Sequence, residues 1–181
     1  MSRIAPQGAR IAVLFTAEEI AARVKVLAAE IASTTERDPL VIPILKGSFI
    51  FAADLLRALH EAGVEPDMDF ISLSSYGVGT QSLGEVRIVR DTEAPIEGRD
   101  VLVIDDILES GRTLAFAKDL LTARGARRVR TCVLLDKPGK LAVNLKADFT
   151  GFECPDRFVV GYGMDVAHAW RQLPFVGYVE R

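Results

Sequence analysis

Between residues 40 and 136, short apolar runs alternate with longer segments in which apolar side chains recur every three or four positions. Short continuous runs read as strands buried on both faces, and the three-to-four spacing reads as helices with one face to bury. The first helix is predicted to open at Thr16, whose hydroxyl caps the first turn while Glu19 reaches back to the cap, a capping box. Ile20, Val24, Leu27 and Ile31 then share one helical face. Residues 40–45 (LVIPIL) read as a buried strand, weakened by Pro43, which removes one ladder donor. After a Lys46-Gly47-Ser48 turn, a second helix is expected to about Ala62, with Phe51, Leu55 and Leu59 on one side and Gly63 as its stop. Further strands are expected at 68–73, 86–90, 101–104, 129–135, 158–160 and 175–179, and a third helix over about 113–123, ending near Gly125. Polar residues 74–84 (SSYGVGTQSLG), with three glycines, read as a mobile connection able to act as a lid. Strands alternating with helices imply parallel pairing through right-handed crossovers. The fold class is therefore α/β: an open, mainly parallel twisted sheet flanked by helices, in one domain over residues 1–181.

Composition narrows the partners. A chain of 181 residues, 49% hydrophobic and 26% charged, is large enough for one core and has the balance of a globular protein. Its 22 basic and 25 acidic residues give a net charge of -3, which argues against nucleic acid or an anionic membrane as partner. The basic run at 124–130 (RGARRVR) reads as a solvated face rather than an RNA site. Cys132 and Cys154 lie in apolar segments without CxxC spacing and read as buried reduced thiols. With neither a secretory leader nor an apolar run of about 18 residues, the expected location is the cytoplasm. His60 reads as a surface residue, and His168, closer to the candidate site beside Trp170 and Arg171, reads as a neighbour of it rather than a ligand contact.

The candidate chemistry follows the apolar strand Val101-Leu102-Val103-Ile104. Asp105 and Asp106 come next, then Ile107-Leu108, then Glu109-Ser110-Gly111-Arg112-Thr113 and a helical pattern. Adjacent carboxylates repel each other and call for a counter-charge, a metal or a ligand rich in hydroxyls, such as a ribose diol beside magnesium. Gly111 lets backbone amides approach a phosphate, Ser110 and Thr113 add hydroxyls, and the following helix contributes its positive end.

VLVIDDILESGRTL resembles the phosphoribosyl-pyrophosphate signature of type I phosphoribosyltransferases. Leu45-Lys46-Gly47-Ser48, Ser75-Tyr76, Leu134-Leu135-Asp136-Lys137, DFTGFE at 148–153, PDRFVVGYGMD at 155–165 and Arg171 are similar to the hypoxanthine-guanine members, in the same order. The resemblance covers roughly residues 16–180. It implies a small hood over the sheet formed by residues 1–15 and 150–181, and a flexible active-site loop at 74–84 that includes Ser75 and Tyr76. It further implies that Asp105 and Asp106 bind ribose hydroxyls and influence magnesium, and that Glu109, Ser110, Gly111, Arg112 and Thr113 hold the 5′-phosphate. Lys46 and Gly47 would bind pyrophosphate, in a turn that in that family often contains a non-proline cis peptide, and Arg171 would join them. For the purine, Lys137 would donate to O6, Phe158 would stack, Val159 would offer backbone groups and Ile107 would line the site; Phe158 also reads as part of a buried strand. Asp165 would sit near the base and bind a second magnesium ion, which makes Asp105, Asp106 and Asp165 the metal residues. The catalytic set is Glu109, Lys137 and Arg171, and the partners are a purine base, phosphoribosyl pyrophosphate and further copies of the chain in a homodimer or homotetramer. Glu109 departs from the family, which usually has Asp there as the base that takes the N7 proton; the longer side chain serves if its carboxylate comes within about 3 Å of that nitrogen. Two other readings stand beside the salvage enzyme: a phosphoribosyl-pyrophosphate-sensing regulator, and an enzyme preferring xanthine.

Overall fold

The structure is a computed structural model, and it describes residues 10–36, 38–75 and 86–180. Its elements in chain order are β1 (Ile11–Phe15), α1 (Ala17–Ser33), β2 (Leu40–Leu45), α2 (Phe49–Glu61), β3 (Asp67–Met68), β4 (Ile71–Ser75), β5 (Val86–Arg90), β6 (Asp100–Leu108), α3 (Arg112–Ala123), β7 (Arg128–Asp136), β8 (Phe149–Glu153), β9 (Val159–Val160) and β10 (Val176–Val179). The main sheet runs β5-β4-β2-β6-β7-β8, with β3 also paired to β2. All its pairings are parallel except that of β4 with β5.

Alternation along the central strands divides the core in two. Val41, Leu102, Ile104, Cys132 and Leu134 pack with α1 and α2, whereas Leu40, Ile42, Val101, Val103 and Val133 pack with α3. Thr16 caps α1 as expected: its hydroxyl accepts from the Glu19 amide at 3.2 Å and Glu19 accepts from the Thr16 amide at 2.7 Å. Gly63 and Gly125 follow α2 and α3 with φ +83° and +82°, the left-handed backbone that ends a helix.

Several expectations change. The strand expected at 68–73 is broken into β3 and β4, because Asp69 turns its carboxylate onto the amides of Phe70, Glu93 and Ala94. β6 runs four residues past Ile104, since β7 is long enough to pair with it as far as Leu108. Asp105 and Asp106 therefore lie inside a strand rather than beyond one. Ser74 and Ser75 end β4 rather than open a loop, and Tyr76 lies outside the described residues. β1 and β8 come without a warning in the periodicity. β8 pairs with β7 in the main sheet, so residues 150–153 are not part of the hood. The terminal segments instead form a separate antiparallel sheet, β1-β10-β9.

The basic run is a partly exposed set of paired arginines rather than a simple solvated face. Arg124 forks onto both oxygens of Asp91 at 2.6 Å, and Arg127 and Arg128 both bond the buried Asp100. Arg130 is buried, donating to Thr34 and Thr35 at 2.6 and 2.7 Å. Cys132 and Cys154 are free and buried, and His60 is exposed beside Glu65. Among the described residues no helix is long and apolar enough to cross a membrane.

Candidate functional site

β2 and β6 are parallel neighbours, so the turns that leave their carboxyl ends open on the same edge of the sheet. There a cavity of about 360 Å³ is lined by Lys46 and Gly47 from the first turn, by Asp105, Asp106, Ile107, Glu109, Ser110 and Gly111 from β6 and its turn, and by Thr113. Gly111 precedes α3 with φ +75°, and no side chain caps the helix. A Cβ on Gly111 would lie 2.9 Å from Val143 Cγ2, so any side chain there adds a close contact to a strained backbone. Open first-turn amides at a helix N-terminus form an anion site.

The two carboxylates lie at the floor of this cavity. Asp105 Oδ1 accepts from the Asp106 amide at 3.0 Å, and Asp106 Oδ1 accepts from the Ile107 amide at 2.9 Å. Burial pushes both acids above their ordinary range, and the charge of Asp106 pushes Asp105 further. Such a pair is relieved by a cation or by hydroxyl donors. Gly47 lies against it: a Cβ there would fall 1.6 Å from Asp106 Oδ2. The Leu45–Lys46 peptide is cis, as the resemblance implies. Among the described residues no three acidic, histidine or cysteine side chains gather into a metal cage, and Asp165 is paired with Arg171 at 2.6 Å. Asp105, Asp106 and Asp165 thus form no preassembled metal centre. Two carboxylates beside a phosphate cradle fit magnesium, which keeps water or substrate oxygens in most of its coordination sphere.

A second cavity, about 240 Å³, shares Gly47, Asp106, Ile107 and Glu109 with the first and adds Lys137, Phe158, Val159, Met164, Asp165 and Arg171. Lys137 is buried, and its Nζ lies 3.3 Å from Glu109 Oε1. Lys140 approaches the same oxygen at 3.5 Å and Asp156 at 2.5 Å. Phe158 is 62% exposed, an apolar ring at a cavity wall rather than part of the core. Arg171 donates to the Gly163 carbonyl at 2.6 Å. His168 is exposed and bonds Asp165 Oδ2 through its backbone amide.

The fold thus gathers fourteen of the sequence-nominated residues around two joined cavities: Lys46, Gly47, Asp105, Asp106, Ile107, Glu109, Ser110, Gly111, Thr113, Lys137, Phe158, Val159, Asp165 and Arg171. Arg112 opens α3 but lines neither cavity. Sequence reading missed the apolar walls Leu73, Leu108, Leu114 and Met164, which carry no chemical signature. It also missed Lys140 and Asp156, which pair beside Glu109 and whose only signal was their opposite charge.

Known proteins match this arrangement. The family model described as "Phosphoribosyl transferase domain" matches residues 12–167. The chain is 45% identical over 169 residues to hypoxanthine-guanine phosphoribosyltransferase of Bacillus subtilis, covering 93% of this chain and 92% of that one. It is equally similar to the bifunctional protein TilS/HprT of Listeria monocytogenes, of whose length it spans about a quarter, 26%. Among solved structures, Trypanosoma cruzi hypoxanthine phosphoribosyltransferase in complex with the product IMP superposes with a TM-score of 0.87 at 36% identity, covering 98% of this chain and 97% of that one.

Proposed function

Because the chain belongs to the phosphoribosyl transferase family, we propose that it is a purine-salvage enzyme, converting hypoxanthine or guanine and phosphoribosyl pyrophosphate to IMP or GMP and pyrophosphate. The observation that carries this reading is the junction of the two cavities at Gly47, Asp106, Ile107 and Glu109. A sugar phosphate in the first and a base in the second bring ribose C1 and purine N9 together at that junction, the proximity a displacement requires.

In this mechanism N9 forms a bond to C1 while the bond from C1 to the pyrophosphate oxygen breaks, leaving its electron pair on pyrophosphate. The amides of α3 and the hydroxyls of Ser110 and Thr113 hold the 5′-phosphate. Asp105 and Asp106 accept from the ribose hydroxyls and face the positive charge that builds on the sugar. Lys46 and Arg171 neutralise the leaving group, which gains charge as it departs. Lys137 donates to the exocyclic oxygen, Phe158 stacks and Val159 presents backbone groups to the base edge. Glu109 takes the N7 proton, and its contact with Lys137 keeps its carboxylate at the base cavity. Magnesium, when bound, supplies charge neutralisation at the pyrophosphate oxygens, with Asp105 and Asp106 as its neighbours in the protein.

The test is a panel of hypoxanthine, guanine and xanthine, each with phosphoribosyl pyrophosphate and magnesium, read as pyrophosphate release. Nucleotide formed from hypoxanthine or guanine is the expected result. Product from xanthine alone reassigns the base, and no product from any base removes the enzyme reading.

A further inference from the structure

The loop from Gly161 to Arg171 carries Asp165 and Arg171, and its backbone is held in an unusual form. Gly161, Tyr162, Gly163, Ala167, His168 and Trp170 all have φ between +47° and +102°. Left-handed backbone at non-glycine residues persists only where surrounding contacts hold it. Of the four non-glycine members only Tyr162 is buried, at 5% exposure. Its hydroxyl donates to Asp54 Oδ2 at 2.5 Å. Asp54 lies in the second turn of α2, the helix that follows the Lys46-Gly47 turn; it also pairs with Arg57 at the surface.

Two further contacts make this bond part of the site. Gly163 packs against the Gly47 carbonyl so closely that a Cβ on it would lie 2.0 Å from that oxygen. The Gly163 amide donates to the Arg171 carbonyl at 3.0 Å, while the Arg171 guanidinium donates to the Gly163 carbonyl at 2.6 Å. The turn bearing Lys46 and the loop bearing Arg171 therefore meet backbone to backbone, and Tyr162 fastens to α2 beside that joint.

We propose that Tyr162 and Asp54 are a positioning pair that sets the spacing between Lys46-Gly47 and Arg171, and hence the grip on pyrophosphate. The proposal rests on the reading of those residues as the pyrophosphate holders. Burial, and then the bond to Asp54, push the phenol well above its usual range, so it remains a donor throughout the working pH range.

The test is calorimetric binding of pyrophosphate with magnesium to the full chain, alongside KM for phosphoribosyl pyrophosphate and for hypoxanthine. Tyr162→Phe, which keeps the ring in the core, is expected to weaken pyrophosphate about fivefold, the size of one ordinary hydrogen bond lost. The same change is expected in KM for phosphoribosyl pyrophosphate, with a smaller change in KM for hypoxanthine, because the loop lends Met164 and Asp165 to the base cavity while Lys137, Phe158 and Val159 lie outside it. Asp54→Leu should reproduce the loss, the double variant should add nothing to it, and Asp54→Asn, which keeps an acceptor oxygen, should restore most of the affinity. A merely structural role would lower thermal stability and leave the pyrophosphate Kd unchanged. A Tyr162→Phe Kd within about twofold of wild type overturns the proposal, since that change is below what a lost hydrogen bond produces. Wild-type protein that binds magnesium pyrophosphate yet makes no nucleotide defeats the salvage function alone, and the pair is then judged on the same Kd values.

Discussion

Glu109 reaches the second cavity with one methylene more than the Asp that the resemblance leads one to expect, and its carboxylate rests on Lys137 and Lys140. Glu109→Asp is expected to remain active, whereas Glu109→Ala should lower kcat by roughly 10²-fold, the contribution of a positioned base. Ribose-phosphate affinity in the Ala variant should change little, because in the proposed mode backbone amides hold the phosphate; steady-state kinetics with a parallel binding titration separate the two effects. Equal turnover in the Ala variant and wild type would remove Glu109 from the mechanism. Asp106 makes the opposite case. A carboxyl whose folded-state pKa is raised favours the folded chain at low pH and opposes it as pH rises. Asp106→Asn should therefore raise the ligand-free urea midpoint at pH 7.5, by a stability gain of about 1 kcal/mol, while losing phosphoribosyl-pyrophosphate binding. A lower midpoint would show that the acid is structural. The identity of these residues was legible because acids beside a glycine turn are poor core formers; their burial within β6 was not, since it depends on how far β7 pairs.

At the scale of elements, α1 and α3 begin in contrasting ways. Thr16 caps α1 reciprocally with Glu19, so Thr16→Ala should cost about 1 kcal/mol and lower Tm by a few degrees without changing KM. Thermal melts beside kinetics check this, and a raised KM would tie α1 to the site. α3 instead begins with Gly111, which offers no side-chain cap, and only a long 3.4 Å contact from the Arg112 amide to the Ser110 hydroxyl, which leaves its first turn able to take an anion. Gly111→Ala forces a side chain into left-handed backbone and against Val143. It should cost roughly 1–2 kcal/mol and also weaken IMP binding; a variant that loses stability while holding IMP as tightly as wild type argues against the cradle. The helices were legible because amphipathic spacing and capping are local. β1 and β8 were not, because a five-residue strand at a sheet edge or in the terminal sheet is defined by its partner: β10 for β1, β7 for β8.

For the molecule as a whole, acid stability rests on carboxylates held by arginines. Burial raises the pKa of Asp100, yet the bonds from Arg128 and Arg127 outweigh it and hold the group below its ordinary 3.8; Arg124, through its hydrogen bonds, likewise holds Asp91 down. A depressed carboxyl adds stability above its unfolded pKa and loses it as pH falls through the folded one. Acid unfolding is therefore expected below about pH 4, and Asp100→Asn should move it to higher pH because it takes the buried carboxylate away from Arg127 and Arg128. Circular dichroism against pH reads both. The arginine run that the sequence offered as a solvated face thus joins α3, β6 and β7 to their neighbours, a pairing across about thirty residues of chain that no local pattern records. Sequence alone determined the helices, the central buried strands and the residues that gather around the two cavities, because these depend on periodicity and on residue types that are costly anywhere else. Only the tertiary structure decided where β6 ends, which strands form the terminal sheet, that Phe158 stays open, and that Gly163 rests on Gly47. Each of those depends on which distant backbone arrives alongside, and that is set by packing the two faces of the sheet rather than by neighbours in the chain.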